Sequence, residues 1–421
     1  MERIFEVSTG QINAKKQVIV MAAATAVSLF GDALLYIILP LYWTEMGLHA
    51  LWQIGVLLSV NRFIRLPLNP LVAWLYKRIS YRQGFILGMI LAAITTFCYG
   101  AFQSFWILLI ARCLWGLAWT FLKLGAYLAI PAFSDNSNRG YLFGLHKGIH
   151  RSGALLGMIL GGLAVDQFGI SPVMTVFAAA SLLTLPFIFT GLDRKQSSTE
   201  FITNKETVPF KKVIIQQSVI TVLASAMCIA VVYDGILKST LSYLVNLQID
   251  SEFMLVGLAV GASTLASSIQ SIRILWEPWL SPLLGSFADR TARRAPVFAG
   301  LLGGAAVLMV FAPLPMPLFM FIAIMLGLQV IGTAMEVIVL SLAADVAQRS
   351  SKVHVMTTLS VAQDTGAALG PLIGYMAAEW LGITSLYVFA SLLFIILSIK
   401  WLKEPAERGF QTEVNKAAPV D

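Results

Sequence analysis

Charged residues standing inside apolar runs are the part of this sequence that can do chemistry. The cations are Arg62, Arg65, Arg112, Lys123, Arg151, Lys238 and Arg273, and the anions are Asp32, Asp234, Glu277, Glu336 and Asp364. A carboxylate buried in an apolar helix can hold or release a proton near neutral pH. Desolvation favours its neutral form, and a nearby arginine favours its charged form. Asp32, which follows Gly31 in SLFGDALLYIILPLYW, is placed for that task. Arg62 and Arg65 suit a different one. Two like charges three apart on a helix repel, and Asn61 and Asn69 can help with hydrogen bonds but supply no charge, so an acid of the protein or of a bound solute must neutralise them. Enzyme chemistry is poorly served: no paired acid and base, no nucleophile elbow and no metal-ligand cluster stands out.

Several charges have a simpler role open to them. Asp234 with Lys238, and Arg273 with Glu277, are four apart and can neutralise each other on one helix face. Lys123 lies near a helix end and can either snorkel or line a polar path. His146 and His150 are also four apart, a spacing that can bind metal, but Lys147 and Arg151 oppose a cation there and no third ligand is evident.

Elements must hold these groups in place, and composition says of what kind. The 421 residues are 58% hydrophobic and 12% charged, with mean hydropathy +0.80, so the chain is an integral membrane protein. In that setting the net charge of +7 reflects where Lys and Arg sit relative to a bilayer, not nucleic-acid binding. Cys98, Cys113 and Cys228 fall in apolar runs and read as core residues without a disulfide. The opening MERIFEVSTGQINAKKQ leads into an apolar run too long for a cleavable signal.

A spanning helix needs roughly 20 apolar residues. About 12 such segments are expected, near 18–46, 51–76, 84–103, 105–130, 141–164, 171–190, 213–246, 253–284, 296–312, 316–345, 353–380 and 383–402. The polar run LDRKQSSTEFITNKETVPFKK separates the sixth from the seventh and predicts a linker at 191–212 between bundles 1–190 and 213–421. Alternate loops carry Lys15, Lys77, Arg139, Lys205, Arg293 and Lys352 among other cations, whereas those around Gly47, Gln103, Asp166, Asp250, Pro313 and Gly382 contain no Lys or Arg. The positive-inside rule then puts both termini and the linker in the cytoplasm. Trp43, Trp52, Trp106 and Trp380 fall near the opposite ends as interfacial anchors.

The two halves repeat. Pro282 lies 212 residues after Pro70, and Arg294 lies 212 after Arg82. Gly153, Gly157, Gly161 and Gly169 recur 213 residues on as Gly366, Gly370, Gly374 and Gly382, and Asp32 recurs as Asp234. Both copies cross in the same direction, which makes them parallel repeats about an axis along the membrane normal, a transporter architecture.

The second-half loop carries Gly285, Asp289, Arg290, Arg293 and Arg294, and in this it resembles the loop signature of the major facilitator superfamily. The first-half copy is degraded: Ala73 and Lys77 replace its Gly and Asp, while Arg78 and Arg82 remain. LLIARCLWG, with Arg112 and Gly116, is similar to the family's fourth-helix motif, and GALLGMILGG to the glycine-rich motif of its proton-driven exporters. The resemblance covers nearly the whole chain. It implies an all-α membrane fold of two pseudo-symmetric six-helix bundles and no catalysis. It implies export by alternating access of a small anionic or zwitterionic metabolite, a metal-chelating metabolite or a drug, coupled to protons, by a monomer in the cell membrane without cofactor, metal or nucleic acid. A proton-coupled importer or a transport-dead receptor is the alternative.

On this reading Asp32, Arg112 and Asp234 handle protons. Arg62, Arg65, Lys238, Arg273, Glu277 and Glu336 face the solute. Asp289, Arg290, Arg294, Arg151 and Asp364 take part in gating. In the family the second helix packs on the eleventh and the fifth on the eighth. Arg65 matches Glu277 in the repeat and Arg151 matches Asp364, so two charge-swapped pairs are expected, Arg65–Asp364 and Arg151–Glu277, closing the cytoplasmic half.

Overall fold

In hydrocarbon every backbone N–H and C=O must find its partner within the protein, so an apolar chain of this kind crosses as helices. The computed structural model describes residues 2–133, 139–193, 216–248, 253–255, 258–290, 294–349 and 352–403, and these are helical almost throughout. Helix α1 is Glu2–Leu41; α2 runs Leu51–Phe63 and Arg65–Tyr76; α3 is Tyr81–Ala101, α4 Phe105–Phe133 and α5 Arg139–Phe168. Helix α6 runs Ile170–Leu183 and Leu185–Gly191. Helix α7 runs Gln217–Ile229, a π-helical stretch Ala230–Leu237, and Lys238–Gln248. Then come α8 Ala262–Arg290, α9 Arg294–Phe311, α10 Leu318–Arg349, α11 Lys352–Leu381 and α12 Ile383–Lys403. Residues 194–215, which include most of the expected linker 191–212, the tail from 404 and the side chains of Asp289 and Arg290 lie outside the described residues.

Two of the breaks have a local cause. Pro67 has no N–H for the carbonyl of Phe63, and Pro186 has none for that of Leu182. Helix α2 accordingly interrupts at Ile64 and α6 at Thr184. The eighth segment starts later than its hydropathy predicts. Phe253–Leu255 (β1) pairs antiparallel with Leu258–Val260 (β2), Phe253 opposite Val260, and the helix begins only after Gly261. Gly261 stands immediately before that start, as glycines do where a helix is not continued.

Nine helices among the described residues are long and apolar enough to cross a membrane by themselves. Helices α2, α8 and α11 are not among them.

By packing, the chain forms two compact units. The larger comprises 1–207, 230–276 and 363–380, so it holds the first six helices and parts of α7, α8 and α11. Within it α5 lies directly on α1: a Cβ at Gly153 or Gly157 would run into the backbone of Ala26 or Phe30. Gly370, the repeat partner of Gly157, likewise meets the backbone of Gly235 in the π-helical stretch. The glycine spacing is therefore a packing face, whatever else it does. Tyr76 is fully buried and donates to the Phe121 carbonyl at 2.7 Å, tying α2 to α4. The smaller unit joins the first stretch of α7 to α9, α10 and α12. There Ser391 and Ser398 of α12 donate to carbonyls of Ala306 and Ala299, and the Trp401 indole donates to Ser225.

Candidate functional site

The site begins at Gly31. A Cβ there would collide with Thr96, so α1 approaches α3 closely at that level and Asp32 faces inward next to it. Arg112 of α4 meets it: Nη1 lies 2.5 Å from Asp32 Oδ1, and Nε donates to the Leu57 carbonyl of α2 at 2.8 Å. Arg112 is completely buried, whereas the Asp32 side chain keeps 16% exposure. The guanidinium also lies near the rings of Tyr36 and Tyr99, 5.9 and 6.0 Å from their centroids. Its Nη2 has no hydrogen-bond partner among the described residues. Arg112 is thus held at two points, and Asp32 is the more exposed member of the pair.

Tyr36, one turn along α1, collects the second layer of charge. Lys238 of α7 sits over its ring at 4.6 Å. Arg62 lies beside its hydroxyl, within electrostatic reach of Asp234 and Asp364. Asp234 turns to α8, where its Oδ1 is 3.8 Å from Nη1 of Arg273. Lys238 is within electrostatic reach of Asp234, and each also reaches a different helix, Asp234 α8 and Lys238 α1. Asp364 of α11 is exposed and within reach of Arg62, Arg65 and Lys123. It makes no ion pair with Arg65, whose Nε donates to the Asn61 carbonyl at 3.1 Å. Lys123 lies over the Tyr127 ring at 5.8 Å. Five helices thus bring Asp32, Arg62, Arg65, Arg112, Asp234, Lys238 and Arg273 into one charged cluster, with Asp364 of a sixth beside it.

The remaining sequence candidates fall elsewhere. Arg151 is half-buried on α5. Glu277 and Glu336 belong to the smaller unit, where both are half-buried. Arg294 of the second-half loop pairs with Asp345 of α10 at 2.6 Å. Its first-half counterpart Arg82 reaches the Phe189 carbonyl at 3.2 Å instead. His150 Nδ1 lies 3.0 Å from the His146 carbonyl.

Sequence reasoning passes over Tyr36, the residue around which Lys238 and Arg62 are arranged. Its signal is available in retrospect: it is the polar residue one turn after Asp32 in an otherwise apolar segment, so the two share a face.

The chain matches the family model described as Major Facilitator Superfamily over residues 21–280 and 278–419. It is 26% identical to the "Multidrug resistance protein MdtG" of Escherichia fergusonii over 304 residues, 70% of this chain and 71% of that one. It is 24% identical to the "Quinolone resistance protein NorA" of Staphylococcus aureus over 187 residues, 44% of this chain and 47% of that one. Among solved structures it resembles the nucleoside transporter NupG, with TM-score 0.72 at 14% identity, covering 92% of this chain and 98% of that one. A bacterial homolog of the human lysosomal transporter Spinster gives TM-score 0.69 at 14% identity, with 92% and 96% covered.

Proposed function

The chain belongs to the Major Facilitator Superfamily, and on that footing we propose that this multi-pass membrane transporter, which is not an enzyme, is a proton-coupled exporter of a small organic solute or drug. The observation that supports coupling most directly is the Asp32–Arg112 pair, a buried arginine held at two points beside an acid that keeps some exposure. A proton on Asp32 removes the counter-charge of Arg112, and the cluster around Tyr36 then has one more uncompensated cation. A zwitterionic solute, held by the cations through its carboxylate and by ionised Asp32 through its ammonium, is released in that state, so proton and solute exclude each other as export requires. An anionic solute would be held more tightly there, which is the importer alternative. The resistance names carried by MdtG and NorA support the outward direction.

In the same proposal the bundles 1–190 and 213–421 rock about the solute, joined by the cytoplasmic linker 191–212. Asp32, Arg112 and Asp234 handle protons. Arg62, Arg65, Lys238, Arg273, Glu277 and Glu336 contact solute, and Asp289, Arg290, Arg294, Arg151 and Asp364 gate. The working unit is a monomer in the cell membrane with both termini in the cytoplasm. Everted vesicles made from cells expressing the protein test this. Imposing an acid interior should drive uptake of a fluorescent quinolone, and an uncoupler should abolish it. Uptake that is insensitive to the pH gradient removes the coupling, and accumulation only in right-side-out vesicles makes the protein an importer.

A further inference from the structure

The Lys/Arg-free end of the larger unit is held by two carboxylates, each set against the start of a helix from the other repeat. Asp166 of α5 faces the beginning of α8. Its Oδ2 accepts from the backbone N–H of Gly261 at 3.0 Å, the N–H of Thr264 at 2.9 Å and the Thr264 hydroxyl at 2.5 Å. The Tyr42 hydroxyl adds a contact to Oδ1 at 3.3 Å, and Ser263 Oγ reaches that tyrosine at 3.2 Å. A Cβ on Gly261 would lie 3.0 Å from the carboxylate, so the approach depends on glycine there. Glu379 of α11 faces the beginning of α2, where its Oε2 accepts from the N–H of Trp52 at 2.7 Å.

These contacts are one contact seen twice. Glu379 lies 213 residues after Asp166, and Thr264 lies 212 after Trp52, the same registers that relate the glycines of α5 to those of α11 and Pro70 to Pro282. The packing next to them repeats as well. A Cβ on Gly55 would lie 3.1 Å from Cβ of Tyr375, and one on Gly162 would lie 2.8 Å from Cβ of Ser267. Ser267 is 212 after Gly55, and Tyr375 is 213 after Gly162. Two seams, α5 on α8 and α2 on α11, therefore share a register, and an acid occupies the same place at the top of each.

We infer that Asp166 and Glu379 are paired latches that hold the Lys/Arg-free end of the transport path shut, each by binding the first N–H groups of a helix in the opposite repeat. A helix start offers unpaired N–H donors and a partial positive charge, so a carboxylate is bound there without a basic side chain. That is how an end without a single Lys or Arg in its loops can still be closed by acids. The latches are not equal: the α5 carboxylate takes four donors and the α11 carboxylate one. Opening that end requires both to let go, and the donors they leave are then free to water.

This inference rests on the transporter reading for its meaning, but its test does not need solute or a pH gradient. In protein with Cys98, Cys113 and Cys228 replaced by Ser, a Ser263→Cys reporter sits buried in the α5/α8 seam. A second reporter, Tyr127→Cys, is half exposed towards the other end of α4. Labelling with a membrane-impermeant maleimide added from the appropriate face follows each. Asp166→Asn should speed labelling of the Ser263 reporter about tenfold and Glu379→Gln about threefold, the order expected when a charge-assisted bond to a helix start is lost. The double variant should exceed either. The Tyr127 reporter should slow in step, because one end opens as the other shuts. Asp166→Glu should stay close to the parent. Unchanged labelling of the Ser263 reporter in the double variant overturns the inference, and so do two reporters that speed up together, which marks general loosening. A protein that moves no solute in any variant, yet shows reciprocal labelling, would remove the transport reading and leave the latches standing.

Discussion

Asp32 and Asp234 stand in the apolar part of the first helix of each repeat, 202 residues apart where the later helices repeat at 212 or 213, and the protein treats them differently. Asp32 meets an arginine that is completely buried, fixed by a carbonyl of α2 and flanked by two tyrosine rings. Asp234 meets Arg273 at 3.8 Å, and their side chains are 34% and 18% exposed. The cause is visible in α10, the repeat of α4, whose first basic residue is its last, Arg349. No counterpart of Arg112 exists in the second half. Asp234 therefore borrows a cation from α8 and sits in the π-helical stretch, an irregularity common at functional positions. One repeat has kept a rigid pair and the other an exchangeable one. Two copies of a fold can thus diverge, the first around a buried pair and the second around a more exposed one.

The largest expected effect breaks the rigid pair. Asp32→Asn leaves Arg112 buried without its counter-charge, a penalty of about 3–5 kcal/mol, so pH-driven transport should fall by at least about a hundredfold while the protein still reaches the membrane. An Asn variant that concentrates solute as well as the parent does would remove Asp32 from coupling. Arg112→Lys comes next. A single ammonium does not match the fork that meets both Asp32 and the Leu57 carbonyl, so about a tenfold loss is expected in the same vesicles.

Arg65 and Asp364 bear on the exchangeable side. They make no ion pair here, and the proposal is that they meet when the basic end closes. Arg65→Asp alone should inactivate, and adding Asp364→Arg should restore measurable flux; a double variant no better than the single ends that idea. Asp234→Asn removes a half-exposed pair worth about 1 kcal/mol or less, so only a two- to fivefold change in rate is expected, with solute preference altered more than pH dependence. An effect as large as that of Asp32→Asn would show that the two aspartates are equivalent after all. The smallest difference concerns the loops: Asp289→Asn should impair transport more than Lys77→Asn, because only the second-half loop retains its acid.

Much of this is legible before any coordinates. Apolar length gives the twelve rods, and the isolation of Asp32 and Arg112 in neighbouring apolar helices makes them candidates for each other, because neither can be left uncompensated. The interruptions at Ile64 and Thr184 are also written in the chain, as Pro67 and Pro186, but hydropathy averages straight through them. The strand pair before α8 is not legible that way, since a short apolar run reads the same as helix or as strand. That Asp234 also reaches a helix about forty residues away, beyond its own i, i+4 neighbour, is not legible either. Asp166 and Glu379 look like ordinary acids near loop ends. Only the repeat arithmetic marks them, and only geometry shows that both are aimed at N–H groups.

The three helices too polar or too broken to enter a bilayer alone, α2, α8 and α11, have a consequence for synthesis. An arginine at the bilayer centre costs about 2.5–3.5 kcal/mol during insertion, and α2 emerges from the ribosome with two, when Asp32 is the only one of the five membrane acids yet made. Helix α8 arrives later with Arg273, and Asp234 on α7 already precedes it. The first repeat must therefore wait, its second segment held at the translocon or at the interface until α4 and its neighbours shelter it. The second repeat can pair charges as it goes. Nascent chains truncated after α2 should still crosslink to the translocon through α2, and chains truncated after α4 should not.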